Sequence, residues 1–178
     1  ALPDSPAVEH LEFADGTLWN IFSPLHKPSI NFTGTSAANF LQGDSSQASL
    51  LFGHAGSDVL HGGSGNDWLI GGVGNDTYVF NLGDGQDSIF EYGGEADVVE
   101  FGAGISINDL TFEAINNDLI LRIENTTNSL TLSQWYRHWN GHPGTTYPVE
   151  NLRFSDGTQY SLADFANGLT NVITGADF

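Results

Sequence analysis

Gly53-His54-Ala55-Gly56-Ser57-Asp58-Val59-Leu60-His61, Gly62-Gly63-Ser64-Gly65-Asn66-Asp67-Trp68-Leu69-Ile70 and Gly71-Gly72-Val73-Gly74-Asn75-Asp76-Thr77-Tyr78-Val79 are three consecutive nine-residue repeats. Asp58, Asp67 and Asp76 fall nine residues apart, as do Gly56, Gly65 and Gly74. A fixed internal period marks a repeat architecture whose units bury a hydrophobic face only by stacking. The first six residues of each unit are glycine-rich and polar, as a tight turn with positive φ requires, and the last three alternate outward, inward, outward as a short strand. The inward residue is the eighth: Leu60, Leu69 and Tyr78. Turn plus strand makes half a coil, so loops on one side of a parallel roll recur every 18 residues. Loop 53–58 is expected to stack on 71–76, and loop 62–67 between the loops near 44–49 and 80–85.

Stacked strands lie about 4.8 Å apart, which brings same-side aspartates such as Asp58 and Asp76 close together. Two carboxylates about 5 Å apart repel by roughly 3 kcal/mol at an effective dielectric of about 20. A cation between the loops reverses that sign. The chain carries 22 acidic and 4 basic residues, a formal net charge of −18, and no cysteine. Oxygen ligands are therefore the available set, and oxygen is what calcium prefers. One inward side chain per strand is little against an ordering entropy of about 1–2 kcal/mol per residue, so metal binding becomes folding energy. The same charge balance excludes nucleic acid as a partner and speaks against anionic membrane. No run of 18 apolar residues is present, so no membrane insertion is expected.

The repeats resemble the RTX nonapeptide Gly-Gly-x-Gly-x-Asp-x-hydrophobic-x, which binds calcium in a parallel β-roll. By that resemblance, one loop offers the carbonyls of its first and third residues and its Asp, and the stacked loop the carbonyls of its second and fourth and its Asp. Gly53, Ala55, Asp58, Gly72, Gly74 and Asp76 then form one candidate site. Gly62, Ser64 and Asp67 form another with the decayed loop around Asp84 and Asp87; Gly63, Gly65 and Gly71 complete the candidate set. Several calcium ions are implied. His54 and Ser49 depart from the pattern, as does the whole stretch 34–52, which argues against ion binding on that side. Tyr92-Gly93-Gly94-Glu95-Ala96-Asp97 reads either as one more degenerate turn, with Glu91, Glu95 and Asp97 as ligands, or as a solvated acidic loop.

From residue 88 the text changes to longer alternating strands, such as Asp97-Val98-Val99-Glu100-Phe101 and Leu119-Ile120-Leu121-Arg122-Ile123, separated by turn signals. The fold class expected is all-β: a parallel β-roll over residues 33–90, capped over 91–178 by an antiparallel hairpin or sandwich region that protects the roll's edge and ends in a short helix over 162–168. This half resembles the domain that often follows RTX repeats. A longer repeat is also present. Val8-Glu9-His10-Leu11-Glu12-Phe13-Ala14-Asp15-Gly16-Thr17 matches Val149-Glu150-Asn151-Leu152-Arg153-Phe154-Ser155-Asp156-Gly157-Thr158 at an offset of 141, which Thr33-Gly34 and Thr174-Gly175 share. Residues 1–32 are therefore expected to be the tail of a preceding module, and the rest of a longer tandem-repeat chain a partner.

No His-Glu-x-x-His run, Gly-x-Ser-x-Gly elbow, phosphate loop or cysteine nucleophile occurs. The resemblance implies a non-catalytic calcium-binding module of a secreted or cell-surface bacterial protein, exported by type I secretion machinery and folded on extracellular calcium. The start Ala1-Leu2-Pro3-Asp4 shows no signal peptide, in keeping with another export route or an excised piece. The alternative is a calcium-scaffolded module that binds a glycan or surface through Trp135-Tyr136-Arg137-His138-Trp139-Asn140-Gly141-His142, since aromatic faces with polar neighbours suit such ligands. Against it stands the reading in which Trp135 and Tyr136 plug the end of the roll.

Overall fold

A computed structural model describes residues 11–12, 18–19, 30–91, 93–94, 96–135 and 149–162. After a hairpin of β1 (Leu11–Glu12) and β2 (Leu18–Trp19), the chain alternates between two sheets. The alternating strands are β3 (Ile30–Thr33), β4 (Phe40–Gln42), β5 (Ser49–Ala55), β6 (Val59–His61), β7 (Trp68–Val73), β8 (Thr77–Phe80), β9 (Gln86–Phe90) and β10 (Val98–Phe101). Odd-numbered strands of this run pair in parallel in one sheet and even-numbered strands in the other. The nonapeptide therefore folds as a β-roll.

Register follows the repeat where the repeat is regular. Leu51 pairs with Leu69 and Leu60 with Tyr78, each 18 residues on. Where the period decays, the offset stretches: Leu69 pairs with Ile89 and Tyr78 with Val99. The loops absorb the extra residues, because a slip by one would turn every inward side chain to solvent. Leu51, Leu69 and Ile89 thus form one inward ladder and Leu60, Tyr78 and Val99 the other, none more than 1% exposed. Each such side chain contributes about 1.5–3 kcal/mol by burial.

The C-terminal half extends these same sheets. A hairpin, β11 (Leu110–Ile115) with β12 (Asp118–Ile123), leads antiparallel into β13 (Ser129–Leu132), and β13 lies parallel on β9. β14 (Asn151–Phe154) lies parallel on β10, and β15 (Gln159–Ser161) closes that sheet antiparallel to β14. Val98–Phe101 is thus a parallel roll strand and not part of the antiparallel assembly: Asp97 precedes it as Asp76 precedes β8, so the chain enters it as from any other repeat loop. Aromatic rings bind roll to cap. Phe80 meets Phe101 edge to face at 6.2 Å, and Phe101 stacks on Phe154 at 5.1 Å between centroids, contacts worth about 0.5–1.5 kcal/mol beyond area burial. Trp135 is buried, and its Nε1–H donates to the Val149 carbonyl at 3.1 Å. The expected short helix lies outside the described residues from 163 onward.

Candidate metal centre

Loops 34–39, 53–58, 71–76 and 91–97 stack along one side of the roll, and loops 43–49, 62–67 and 82–87 along the other. The sixth residue of each regular loop stands just before its strand. Its backbone N–H donates upward to the carboxylate on the next coil. Asn39 N–H donates to Asp58 Oδ1 at 2.7 Å, Asp58 to Asp76 Oδ1 at 2.7 Å, and Asp76 to Asp97 Oδ1 at 2.6 Å. Glu150 completes this ladder by accepting the Asp97 N–H through Oε2 at 2.7 Å. On the other side Ser49 N–H donates to Asp67 Oδ1 at 2.6 Å and Asp67 to Asp87 Oδ1 at 2.9 Å.

Each hydrogen bond uses one carboxylate oxygen. The other, Oδ2, is buried without a hydrogen-bond partner in Asp58, Asp67, Asp76, Asp87 and Asp97. An unsatisfied buried polar atom costs about 1–3 kcal/mol, more when charged, and five in two lines demand a common partner. With only the chain's own groups acting, burial pushes Asp67 and Asp76 up to about 6, Asp97 to about 7 and Asp87 to about 8. Burial also raises Asp58. Neutralisation by protons or by a cation is what such carboxylates require.

Carbonyls complete the donor set. A Cβ on Gly72 would collide with the His54 carbonyl oxygen and one on Gly74 with that of Gly56, while one on Gly53 would stand 2.6 Å from the Gly71 oxygen. Between loops 53–58 and 71–76, then, the lower loop presents its second and fourth carbonyls and the upper loop its first. The Gly53 oxygen faces down to Gly34, at 2.6 Å from a Cβ there, and the Gly74 oxygen faces up to Gly94. Gly53 on one hand and Gly72 and Gly74 on the other consequently belong to neighbouring layers, not to one, because the chain's direction turns alternate carbonyls to opposite faces of each loop. Gly62 likewise faces down to Gly43, and Gly65 up to Gly85. Third-residue carbonyls are engaged by the loop beneath: Val73 O accepts Gly56 N–H at 2.9 Å and Asp84 O accepts Gly65 N–H at 2.9 Å. Ala55 and Ser64 hold the same third positions. All these donors are oxygens converging on buried carboxylates, which fits calcium.

The layer between loops 71–76 and 91–97 differs from the others. Asp76, Glu91 and Asp97 are all buried, and one carboxylate oxygen from each lies within 4.8 Å of the other two. The Tyr78 hydroxyl accepts the Gly71 N–H at 2.9 Å and donates to Glu91 Oε2, while Gly93 N–H donates to Glu91 Oε1 at 3.1 Å. Burial drives Glu91 up to about 9. Glu91 and Asp97 of the degenerate turn are therefore buried beside Asp76 and not solvated. Glu95 lies outside the described residues, as do Tyr136–His142.

Asp84 is held elsewhere. Its Oδ2 accepts the Asn81 backbone N–H at 2.7 Å and lies 3.0 Å from His61 Nε2, so its carboxylate serves a turn while Asp87 takes the ladder position. Ser49 and Asn39, at the N-terminal ends of the ladders, turn their side-chain oxygens to their own loops, accepting the N–H of Asp44 and Thr35 at 3.0 and 2.6 Å. Glu150 and the Tyr78 hydroxyl escape a search by nine-residue spacing. A carboxylate followed two residues later by a buried apolar or aromatic residue finds Glu150, since Glu150 precedes Leu152 as Asp58 precedes Leu60, Asp76 precedes Tyr78 and Asp97 precedes Val99.

Comparison with known families agrees with this construction. Residues 52–89 match the RTX calcium-binding nonapeptide repeat, and residues 118–164 match the haemolysin-type calcium binding protein related domain. No curated protein matches the chain. The chain carries RTX calcium-binding nonapeptide repeats over 52–89 and, on the same two sheets, a haemolysin-type calcium binding protein related domain over 118–164.

Proposed function

We propose that this chain is a non-catalytic module of a secreted or cell-surface protein that stays unfolded at low calcium, passes a type I exporter as a flexible chain, and folds outside the cell as calcium enters the carboxylate ladders. The observation that carries the reading is the five buried, unpartnered Oδ2 atoms of Asp58, Asp67, Asp76, Asp87 and Asp97. In this reading the ion-binding roll begins at residue 33 and runs through β10, and the chain beyond β10 forms its cap. Each ion is held by ladder carboxylates above and below, with the carbonyls of His54, Gly56 and Gly71 in one layer, Gly65 with Asp67 and Asp87 in another, and Gly72 and Gly74 with Asp76, Glu91 and Asp97 in a third. Calcium supplies the positive charge that lets these carboxylates stack; the chain fixes the spacing and excludes water.

No helix among the described residues is long and apolar enough to cross a membrane. The alternative ligand surface loses one of its aromatics, because Trp135 is 3% exposed and committed to Val149. Far-UV circular dichroism at submicromolar and at millimolar calcium, paired with export of the chain through a reconstituted type I system, tests the proposal. A coil that becomes β-rich only at millimolar calcium, and an exporter that stalls when calcium is present inside, are expected. A chain equally folded in chelator at about pH 8 would overturn it.

A further inference from the structure

The hairpins β1–β2 and β14–β15 share sequence, spacing and register. In β14–β15, Leu152 pairs with Tyr160 and Arg153 with Gln159; in β1–β2, Leu11 pairs with Trp19 and Glu12 with Leu18. Every one of these four positions in β1–β2 lies 141 residues before its counterpart, the offset that also relates Glu9 to Glu150 and Gly34 to Gly175. The second hairpin has a defined task. Its strand β14 adds in parallel to β10, pairing Val99 with Leu152 and Phe101 with Phe154, and Glu150 just before it closes the carboxylate ladder on Asp97. Among the described residues the first hairpin forms a two-stranded sheet that joins neither sheet of the roll. A lone two-stranded hairpin is at best marginal in water.

We infer that β1–β2 is a docking element for a second unit of the same architecture, upstream in the same polypeptide, whose counterpart of β10 pairs with β1 as β10 pairs with β14. The chemistry of the partner strand is also specified. Arg153 forms an ion pair with Glu100 across β14 and β10, whereas Glu12 occupies the position of Arg153. Like charges directly opposite one another destabilise a sheet. The partner strand must therefore carry a basic or neutral residue at the position of Glu100, and an identical unit is disfavoured.

Two measurements on the full chain in calcium test this. Leu11→Asp should leave Tm within about 2 °C, the scale of a substitution outside a packed core, while Leu152→Asp should abolish the cooperative transition. Replacing residues 149–162 by residues 8–21 should give a chain that still melts cooperatively, with Glu12→Arg inside the graft raising its Tm and a scrambled graft failing to fold. A larger Tm loss for Leu11→Asp would show that the hairpin packs on this chain's own roll and would overturn the inference. So would a graft that carries Glu12→Arg and shows no cooperative melting.

Discussion

The backbone N–H of Asp58 donates to Oδ1 of Asp76 at 2.7 Å, and Oδ2 of the same carboxylate is buried with no partner. One side chain therefore does two things. It locks the register of successive coils through one oxygen and offers the other to whatever lies between them. The proposed calcium requirement rests on the repetition of this arrangement on both sides of the roll.

The first expectation concerns pH. Asp67 and Asp76 at about 6, Asp97 at about 7, Asp87 at about 8 and Glu91 at about 9 are all raised by burial. Raised native values mean that folding takes up protons, so the contribution to stability is full below the unfolded values of about 4 and is lost as pH rises through the native ones. In chelator the chain should hold β-structure near about pH 5 and lose it towards about pH 8. With calcium the order reverses, since ligands must be deprotonated to bind. Circular dichroism across this range decides the matter; a chelated chain as well folded at the alkaline end as at the acid end contradicts it.

Asp76→Asn keeps an acceptor for the Asp58 N–H but removes a charge from two adjacent layers. The calcium midpoint for folding should rise roughly tenfold or more, given a Coulomb term of a few kcal/mol at this spacing. The chelated protein should become more stable at neutral pH. Asp156→Asn, at an exposed residue whose Oδ1 already accepts the Thr158 N–H at 2.8 Å, should leave the midpoint unmoved. Equal shifts for the two variants would remove the ladder from the explanation.

His54 occupies the second-residue position with φ of 78°, where Gly63 and Gly72 have 87° and 108°. A side chain in that region costs roughly 1–2 kcal/mol. The edge contact of its ring with Phe52 at 4.1 Å offsets part of this. His54→Gly should stabilise the calcium-loaded form by about 1 kcal/mol, read as a Tm rise of about 2–4 °C; a fall in Tm would show that the ring contact outweighs the strain.

Two glycines separate strain from collision. Gly157 has φ of 86° with open space around it, so Gly157→Ala should cost only the roughly 1–2 kcal/mol of backbone strain. Gly74 has φ of 142°, and a Cβ there would strike the Gly56 carbonyl. Gly74→Ala should abolish calcium-induced folding, as circular dichroism would show directly. Similar melting temperatures for the two variants would contradict the close stacking of the loops.

Much of this was legible in the repeats. Nine-residue spacing places Leu60, Leu69 and Tyr78 inward and the aspartates in line, because period and register are the same physical fact in a solenoid. The reading weakened where the spacing did. Asp76 is followed at 21 residues by Asp97, because the intervening loops are longer, and Asp97 at 53 by Glu150, because the β11–β12 hairpin and the segment before β14 are inserted between successive coils. An inserted hairpin looks like a separate antiparallel region, although β13 and β14 return to the roll. The division of carbonyls between layers depends on which way each peptide faces, which residue types do not encode. Tyr78 reads as core from its position, and its hydroxyl becomes part of the site only because Glu91 stands opposite on the next coil.

The most direct test is calcium anomalous diffraction from crystals grown in millimolar calcium. Peaks are expected in the layers between loops 53–58 and 71–76, 62–67 and 82–87, and 71–76 and 91–97, each about 2.3–2.6 Å from the Oδ2 atoms of the ladder aspartates. A folded roll with no peak beside Asp58, Asp67, Asp76, Asp87 or Asp97 would contradict the claim that calcium between stacked carboxylates holds this protein together.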